Sequence, residues 1–586
     1  MKWPSIFLLL LCLAATLPAR AQDDLAWASG SWFNPNRNYE GFVVQVLPDN
    51  IAVVTWFTYP PEGEEGEQAW MIGTGRTEGE RIIVDEMLRP VGATFGPDFD
   101  PDDVSREPWG TLEITFADCN TALAEYQGPQ AFGSGSTDLV RLTAIDDVEC
   151  DASTVPDPDR IIAGRSGLWY DPNHDGEGWM IEVLTEGTVL VYWFTYDDQG
   201  RQVWLIGQAR AFGKTLWIED MLITRGTRFG DAFNSEDVEL IPWGDFGFLF
   251  EDCRNARMRY ASWDQRFGEG TLVPKRLAFL AGTECVEQAP AAAPLSAGSW
   301  RFAADMGVAV TETASAAAGD YAYTAGGHGH YDRLSRFDLA ANSWQSMPPM
   351  PGARHHPIMT SDGERIYVAG GYSQRYGAEV AHDNFWRFDP ALGSWEDLSP
   401  LPQSRAAGDA VFMHGKIWIV GGEGQGGSML AYDVMTGEWS LFPSDVRALR
   451  DHMQAVAFEN EIWWIGGRTD SSTSNRVLIW NPVTREWREG PSLFYARSGF
   501  SAAVVQGQIL VTAGERIDLM PAQLIPSLEV FAPGSDGWVQ GPSPPILVHG
   551  TTGASVNGRL VITAGSDIAG SLSDNRATQI YEPAEN

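Results

Sequence analysis

Ile366-Tyr367-Val368-Ala369-Gly370-Gly371 is a short apolar run that stops on two glycines. After a polar loop come Phe385-Trp386-Arg387-Phe388-Asp389-Pro390, Ser394-Trp395, Leu401-Pro402 and Arg405. The same order recurs to the end of the chain. The first glycine after each apolar run is Gly326, Gly370, Gly421, Gly466, Gly514 and Gly565, at spacings of 44 to 51 residues. Five times an aromatic residue precedes a tryptophan by seven positions: Phe337 and Trp344, Phe388 and Trp395, Tyr432 and Trp439, Trp480 and Trp487, Phe531 and Trp538. The sixth aromatic, Tyr581, has no tryptophan after it, and Trp300 has no aromatic partner of its own. A strand carrying Trp300 that joins the Tyr581 unit closes a ring of six.

The reason for such a ring is burial. A four-stranded unit has two apolar faces and cannot cover both alone, so neighbours stack around an axis and leave only short edges. The order of a di-glycine ending strand b, an aromatic in strand c and a tryptophan in strand d resembles the kelch repeat. That resemblance implies a six-bladed β-propeller over residues 296–586, with the strand d tryptophan filling the gap between blades. The last two units depart from it, because Glu515 and Ser566 replace the second glycine.

Ahead of the repeats the chain reads differently. Residues 1–21 carry Lys2, an apolar run from Ile6 to Ala15 and Ala19-Arg20-Ala21, the pattern of a cleaved secretory signal, so the protein is expected to be exported to the periplasm or the medium. Residues 26–152 and 160–286 form a direct duplication. Gly30-Ser31-Trp32-Phe33-Asn34-Pro35 matches Gly167-Leu168-Trp169-Tyr170-Asp171-Pro172, and Trp56-Phe57-Thr58-Tyr59 matches Trp193-Phe194-Thr195-Tyr196. Short alternating runs broken by Gly, Pro and Asp predict an antiparallel β-sandwich or partly open barrel in each copy. The whole chain is thus expected to be all-β.

Outside the signal the cysteines are Cys119, Cys150, Cys253 and Cys285. An internal duplication favours pairing within each copy, Cys119 with Cys150 and Cys253 with Cys285. The copies resemble tandem modules of secreted bacterial proteins, a likeness that implies no activity. Residues 287–295, rich in Ala and Pro, are the expected linker.

Charge excludes some partners. The chain carries a formal net charge of −38, of which −12 lies from Ser296 onward. Neither nucleic acid nor an anionic membrane suits that balance, and no apolar run after the signal is long enough to span a bilayer.

In a propeller the b–c loops and the d–a crossovers open on one face around the axis. Ten or eleven residues past the strand d tryptophans stand Arg354, Arg405, Arg450, Arg497 and His549. His328, His330 and His382 fall in b–c loops, and His355, His356 and His452 fall at crossovers, with Tyr331, Tyr372 and Tyr376 beside them. Two readings of the arginines compete: a cationic pocket for a carboxylate, or staples between blades. His328, His330, His355 and His356 can be weighed as metal ligands, but no carboxylate or cysteine spacing completes a recognised site, and neither a metal nor a cofactor is assigned.

In the copies, Glu40 and Glu177, with Asp118 and Asp252, recur as matched carboxylates that nothing places across a cleft. The aromatic sets Trp56, Tyr59 and Trp70, and Trp193, Tyr196 and Trp204, read first as core and second as a sugar-stacking surface.

The expected function is a binding protein for a protein or an anionic saccharide at this face. The alternative is a sugar-acid mutarotase or epimerase, as six-bladed periplasmic kelch-like propellers imply, with Arg354, Arg405 or Arg497 holding a carboxylate and a histidine or Glu423 moving protons. A copper radical oxidase, known among kelch-like propellers, is excluded because the propeller has no cysteine. A third reading is a surface scaffold.

Overall fold

The computed structural model describes residues 25–584 apart from residues 98, 147, 149, 151–163, 185–187, 211–213, 284, 286–292, 330, 374–378, 426 and 470–471. The expected signal, residues 1–21, and most of the expected linker lie outside the described residues, as do His330 and Tyr376. Among the described residues no helix is long and apolar enough to cross a membrane.

The first copy is a closed barrel of eight strands, from Gly30–Phe33 to Ser134–Arg141, paired in sequence order. It closes where Trp32 meets Arg141 and Phe33 meets Val140. In the second copy the eighth strand is broken at Val273-Pro274. Glu269–Leu272 pairs with one neighbour and Lys275–Phe279 with the other. Proline has no N–H to give a ladder, and here its carbonyl instead accepts from the Ala256 N–H at 2.9 Å. Disulfides join Cys119 to Cys150 and Cys253 to Cys285, with Cα separations of 5.9 and 6.0 Å.

Strand alternation sends successive side chains to opposite faces. Trp56 and Met71 fill the first barrel, while Phe57 and Trp70 face outward and meet Phe194, Tyr196 and Trp204 of the second. The aromatic sets of both copies are therefore core or inter-barrel interface, and of them Trp56 also lines a cavity at the first barrel's mouth with Arg37, Glu40 and Tyr126. The interface is two-fold. Gln68 exchanges hydrogen bonds with the backbone of Trp204 at 2.9 and 3.0 Å, and the matched Gln202 does the same with Trp70 at 2.6 and 3.3 Å.

The exchange goes deeper at the barrel mouths. Phe229 of the second copy enters the first barrel against Trp56, Tyr126 and Phe132, and the matched Phe95 enters the second against Trp193, Trp243, Tyr260 and Phe267. The matched carboxylates are held by hydrogen bonds. Glu40 accepts from Thr58 at 2.6 Å, Glu177 bonds His174 at 2.8 Å, and Asp118 and Asp252 cap tight turns.

One carboxyl at this interface breaks the symmetry. Glu182 is fully buried and accepts from Ser31 at 2.8 Å and Thr143 at 2.7 Å. Burial pushes its carboxyl up to about 7, against the pull of those two bonds. The folded state thus keeps a proton that the unfolded chain releases near pH 4.5, so this group makes stability fall as pH rises from about 4.5 to about 7. Relative to wild type, Glu182→Gln is expected to gain roughly 2–3 kcal/mol in the barrel transition at pH 8 over its effect at pH 5. Calorimetry at the two pH values checks this, and a pH-independent difference refutes it.

Residues 298–583 form six four-stranded sheets. The strands nearest the axis are Ala314–Ala318, Ile358–Ser361, Asp409–Met413, Gln454–Phe458, Ser501–Val505 and Gly553–Val556. Gly298–Ala303 supplies the outer strand of the last blade, with Trp300 opposite Tyr581 as the repeat arithmetic requires. Each strand d tryptophan spans a blade boundary and donates its indole N–H to a carbonyl four residues past the tryptophan before it. Trp344 bonds Ala304, Trp395 Pro348, Trp439 Ser399, Trp487 Pro443, Trp538 Pro491 and Trp300 Pro542, at 2.7 to 3.5 Å.

The second barrel docks on the a–b and c–d turns. Trp217 stacks on His414 with ring centroids 4.2 Å apart, Asn460 donates to the Thr215 carbonyl at 3.2 Å, and Arg257 and Glu269 pair with Glu486 and Arg485 at 2.7 and 3.2 Å. Antiparallel strands put the b–c loops and crossovers at the other end, which the barrel leaves uncovered.

Candidate functional site

At that open end the crossovers build an axial ring. Glu312, His356, Ala407, His452, Gly499 and Gly550 each take the left-handed backbone conformation, with φ between 50° and 67°. Each N–H donates to the carbonyl of the ring member before it, and Glu312 closes the circle on Gly550, at 2.7 to 3.1 Å. Glycine adopts this conformation freely, whereas a residue with a Cβ is held there at a cost of about 1 kcal/mol or more. Glycine and alanine at three positions show that the ring forms without a long side chain. Glu312, His356 and His452 are therefore not required by the fold at their positions.

Two outer rings frame this one. Thr311, His355, Ala406, Asp451, Ser498 and His549 precede the axial residues and pair with His328, Tyr372, Glu423, Arg468, Glu515 and Ser566, which follow the glycine turns. The side chains converge on Glu312, whose carboxylate lies 2.9 Å from His356 Nε2 and 3.8 Å from His549 Nδ1. His356 Nδ1 shares a 2.7 Å hydrogen bond with His355 Nδ1. His452 Nδ1 bonds the Asp451 carboxylate, and its Nε2 accepts from Arg468 at 3.1 Å. Arg468 also reaches Asp451 at 3.0 Å and Glu515 at 3.5 Å. Tyr372 donates to Glu423 at 2.6 Å.

Electrostatics follow from this packing. Burial alone would push the Glu312 carboxyl up, but His356, His452 and His549 outweigh it and hold it well below the usual carboxylate range. Burial lowers His452, against the Asp451 hydrogen bond that raises it. The mouth is a water-poor cluster of acids and bases joined by direct hydrogen bonds, an arrangement able to bind a polar group or pass a proton.

The arginines do not meet here. Arg354 donates to Asn384 at 2.8 Å, Arg405 to the Gln425 and Ser428 carbonyls, Arg450 to Ser474 at 2.8 Å, and Arg497 to Ser527 at 2.7 Å and Glu529 at 2.5 Å. Each ties its crossover to the b–c loop of the blade it leads into. Arg405, Arg450 and Arg497 are at most 5 % exposed. Of the two readings of the arginines, these contacts fit the staples between blades, and Arg468 bonds the histidine cluster.

His328, His355, His356, His452 and His549 do gather, with Tyr331 6.0 Å from the His328 ring and 5.9 Å from the His355 ring. Sequence reasoning missed Glu312, Arg468 and Glu515. Counting twelve residues past the tryptophans instead of ten lands on five of the six axial positions, Glu312 and His356 included.

Fold and repeat together define the C-terminal half as a six-bladed kelch-repeat β-propeller. The kelch motif matches residues 353–402 and 449–493 directly. Similar curated proteins include Kelch-like protein terF of Aspergillus terreus (strain NIH 2624 / FGSC A1156), 25% identical over 289 residues, which are 44% of this chain and 61% of that protein. Kelch-like protein 23 of Homo sapiens is 26% identical over 213 residues, 35% of this chain and 36% of that protein. F-box/kelch-repeat protein At1g67480 of Arabidopsis thaliana is 28% identical over 175 residues, 28% and 46% of the respective chains. The chain thus spans less than two thirds of the length of each. Among solved structures, YjhT aligns over 47% of this chain and 96% of its own, with 15% identity and a TM-score of 0.42.

Proposed function

We propose that this chain is an exported interaction protein that takes a protein partner on the open loop face of its propeller. The observation that carries this reading is the rim of the mouth. Ile517 and Met520 in the b–c loop of the fifth blade, and Ile568 and Leu572 in that of the sixth, are 37 to 96 % exposed. The two loops are tied together, because the Gly570 N–H donates to the Glu515 carboxylate at 2.6 Å. An apolar cluster on adjacent loops beside a polar mouth has the layout of a protein interface, with anchors in contact and a polar surround. An anionic saccharide loses its basis, since the arginines meant to hold it are staples.

The test compares wild type with Met520→Asp/Ile568→Asp as baits in quantitative capture from the envelope and medium of the source cells. Any enriched partner is then retitrated in purified form. A partner that binds wild type and loses at least tenfold in affinity to the variant, at an unchanged melting temperature, supports the reading. No specific partner, or one that ignores the substitutions, overturns it.

An isomerase at the same mouth is a second reading, favoured by the linked acid and base groups around Glu312. It requires turnover of a cyclic sugar acid that Glu312→Gln abolishes.

A further inference from the structure

The sequence alone assigns no metal, but folding brings a carboxylate and two imidazoles together from three blades. We propose that Glu312, His356 and His452 form a binding site for one divalent transition-metal ion, of the zinc class, on the propeller axis. Their ligand atoms all lie within 4.8 Å of one another, and the two imidazole centroids are 4.9 Å apart. One carboxylate and two histidines are a donor set that zinc and related ions accept, with positions left for water or a ligand.

The surroundings are those of a metal site. A ligating histidine usually gives its other ring nitrogen to an orienting partner, which fixes the tautomer and aims the lone pair. His452 does this with Asp451 and His356 with His355. His452 Nε2 and His356 Nε2 are then the nitrogens that face the ion, the second now 2.9 Å from the Glu312 carboxylate that would share it. Arg468 rests on the first of these at 3.1 Å, yet it keeps Asp451 and Glu515 as partners if an ion displaces it. Ala407, between the two histidines, and Gly499 and Gly550 put no long side chain into the ring, and Glu312 packs over Gly550, beside a cavity of about 40 Å³ that Glu312, His356 and His452 also line. That space suffices for the ion and a bound water.

A second group, His328, His355 and His356, also places its ligand atoms within 4.8 Å. There the His328 and His355 rings lie stacked, 4.2 Å apart and 29° from parallel. Near-parallel rings do not converge their lone pairs on one point, and the group lacks a carboxylate. The axial set is the better site. The inference does not depend on a protein partner: Met520→Asp/Ile568→Asp should still bind metal.

The experiment is a calorimetric titration of the full chain, stripped with chelator, with zinc sulfate. One equivalent is expected to bind. His452→Gly and Glu312→Gln should each weaken it about 100-fold, while His328→Gln should leave it unchanged. Glycine suits the His452 backbone, because Gly499 and Gly550 hold the same conformation in the same ring. X-ray absorption of the loaded protein should show two imidazoles. Absence of saturable binding, binding indifferent to His452→Gly and Glu312→Gln, loss with His328→Gln, or a spectrum without imidazole overturns the site.

Discussion

Glu529→Ala is expected to lower the stability of the propeller by about 3–5 kcal/mol, because it strands a buried charge rather than merely deleting a contact. Arg497 and Glu529 are both 0 % exposed and pair at 2.5 Å. Glu529 also accepts from the Phe494 N–H at 2.6 Å, and Arg497 donates to the Ala513 carbonyl at 2.9 Å. The substitution therefore leaves the Arg497 guanidinium, in a place water does not reach, without its carboxylate, and the Phe494 amide without its acceptor. Removing both charges with Arg497→Met/Glu529→Leu should cost clearly less than Glu529→Ala alone, since the desolvation penalty disappears with the ions. Calorimetric scans of the full chain would report this in the propeller transition. A double variant as unstable as the single one would show that the pair itself, rather than the stranded charge, carries the effect.

The second large effect lies in the barrels. Phe229→Ala should destabilise the N-terminal half by about 3–5 kcal/mol, as large-to-small changes in a packed core do. The wild-type ring sits among Trp56, Tyr126 and Phe132, a pocket built entirely by the other copy. Phe95→Ala should do the same at the opposite mouth. Because each ring plugs its neighbour, the first loss loosens the whole barrel pair, and the double variant should cost less than the sum of the two. Strict additivity in chemical denaturation would mean that the barrels hold together without the exchange.

The repeat made the propeller legible. The glycine and tryptophan spacings are set by strands and turns, so blade number and the Trp300 closure follow from local pattern. The disulfide pairing followed from duplication in the same way. The mouth was less readable, because its chemistry depends on a left-handed turn that aims Glu312, His356 and His452 inward. A count of twelve past the tryptophans reaches most of these positions but does not show the turn's handedness, and Glu312 stands in a crossover without a neighbouring histidine to draw notice. The arginines stayed open between two readings for the complementary reason: their spacing was nearly as regular as that of the axial ring, and regularity alone cannot tell a staple from a ligand. The inter-barrel exchange was hidden too. Phe95 and Phe229 occupy matched positions, but a pattern of one residue per copy does not say whose barrel each enters.

The docking of the second barrel on the turns opposite the mouth has a mechanical meaning. Trp217 against His414, with two ion pairs at the turn of Arg485 and Glu486, joins the two halves through side chains as well as through the linker. A body gripped at its barrels would point the propeller axis away from the grip, at a standoff fixed by the depth of one blade. Two molecules held at opposite ends could then neither compete for the same surface nor swing into each other. They would be kept at a set distance, as by a strut.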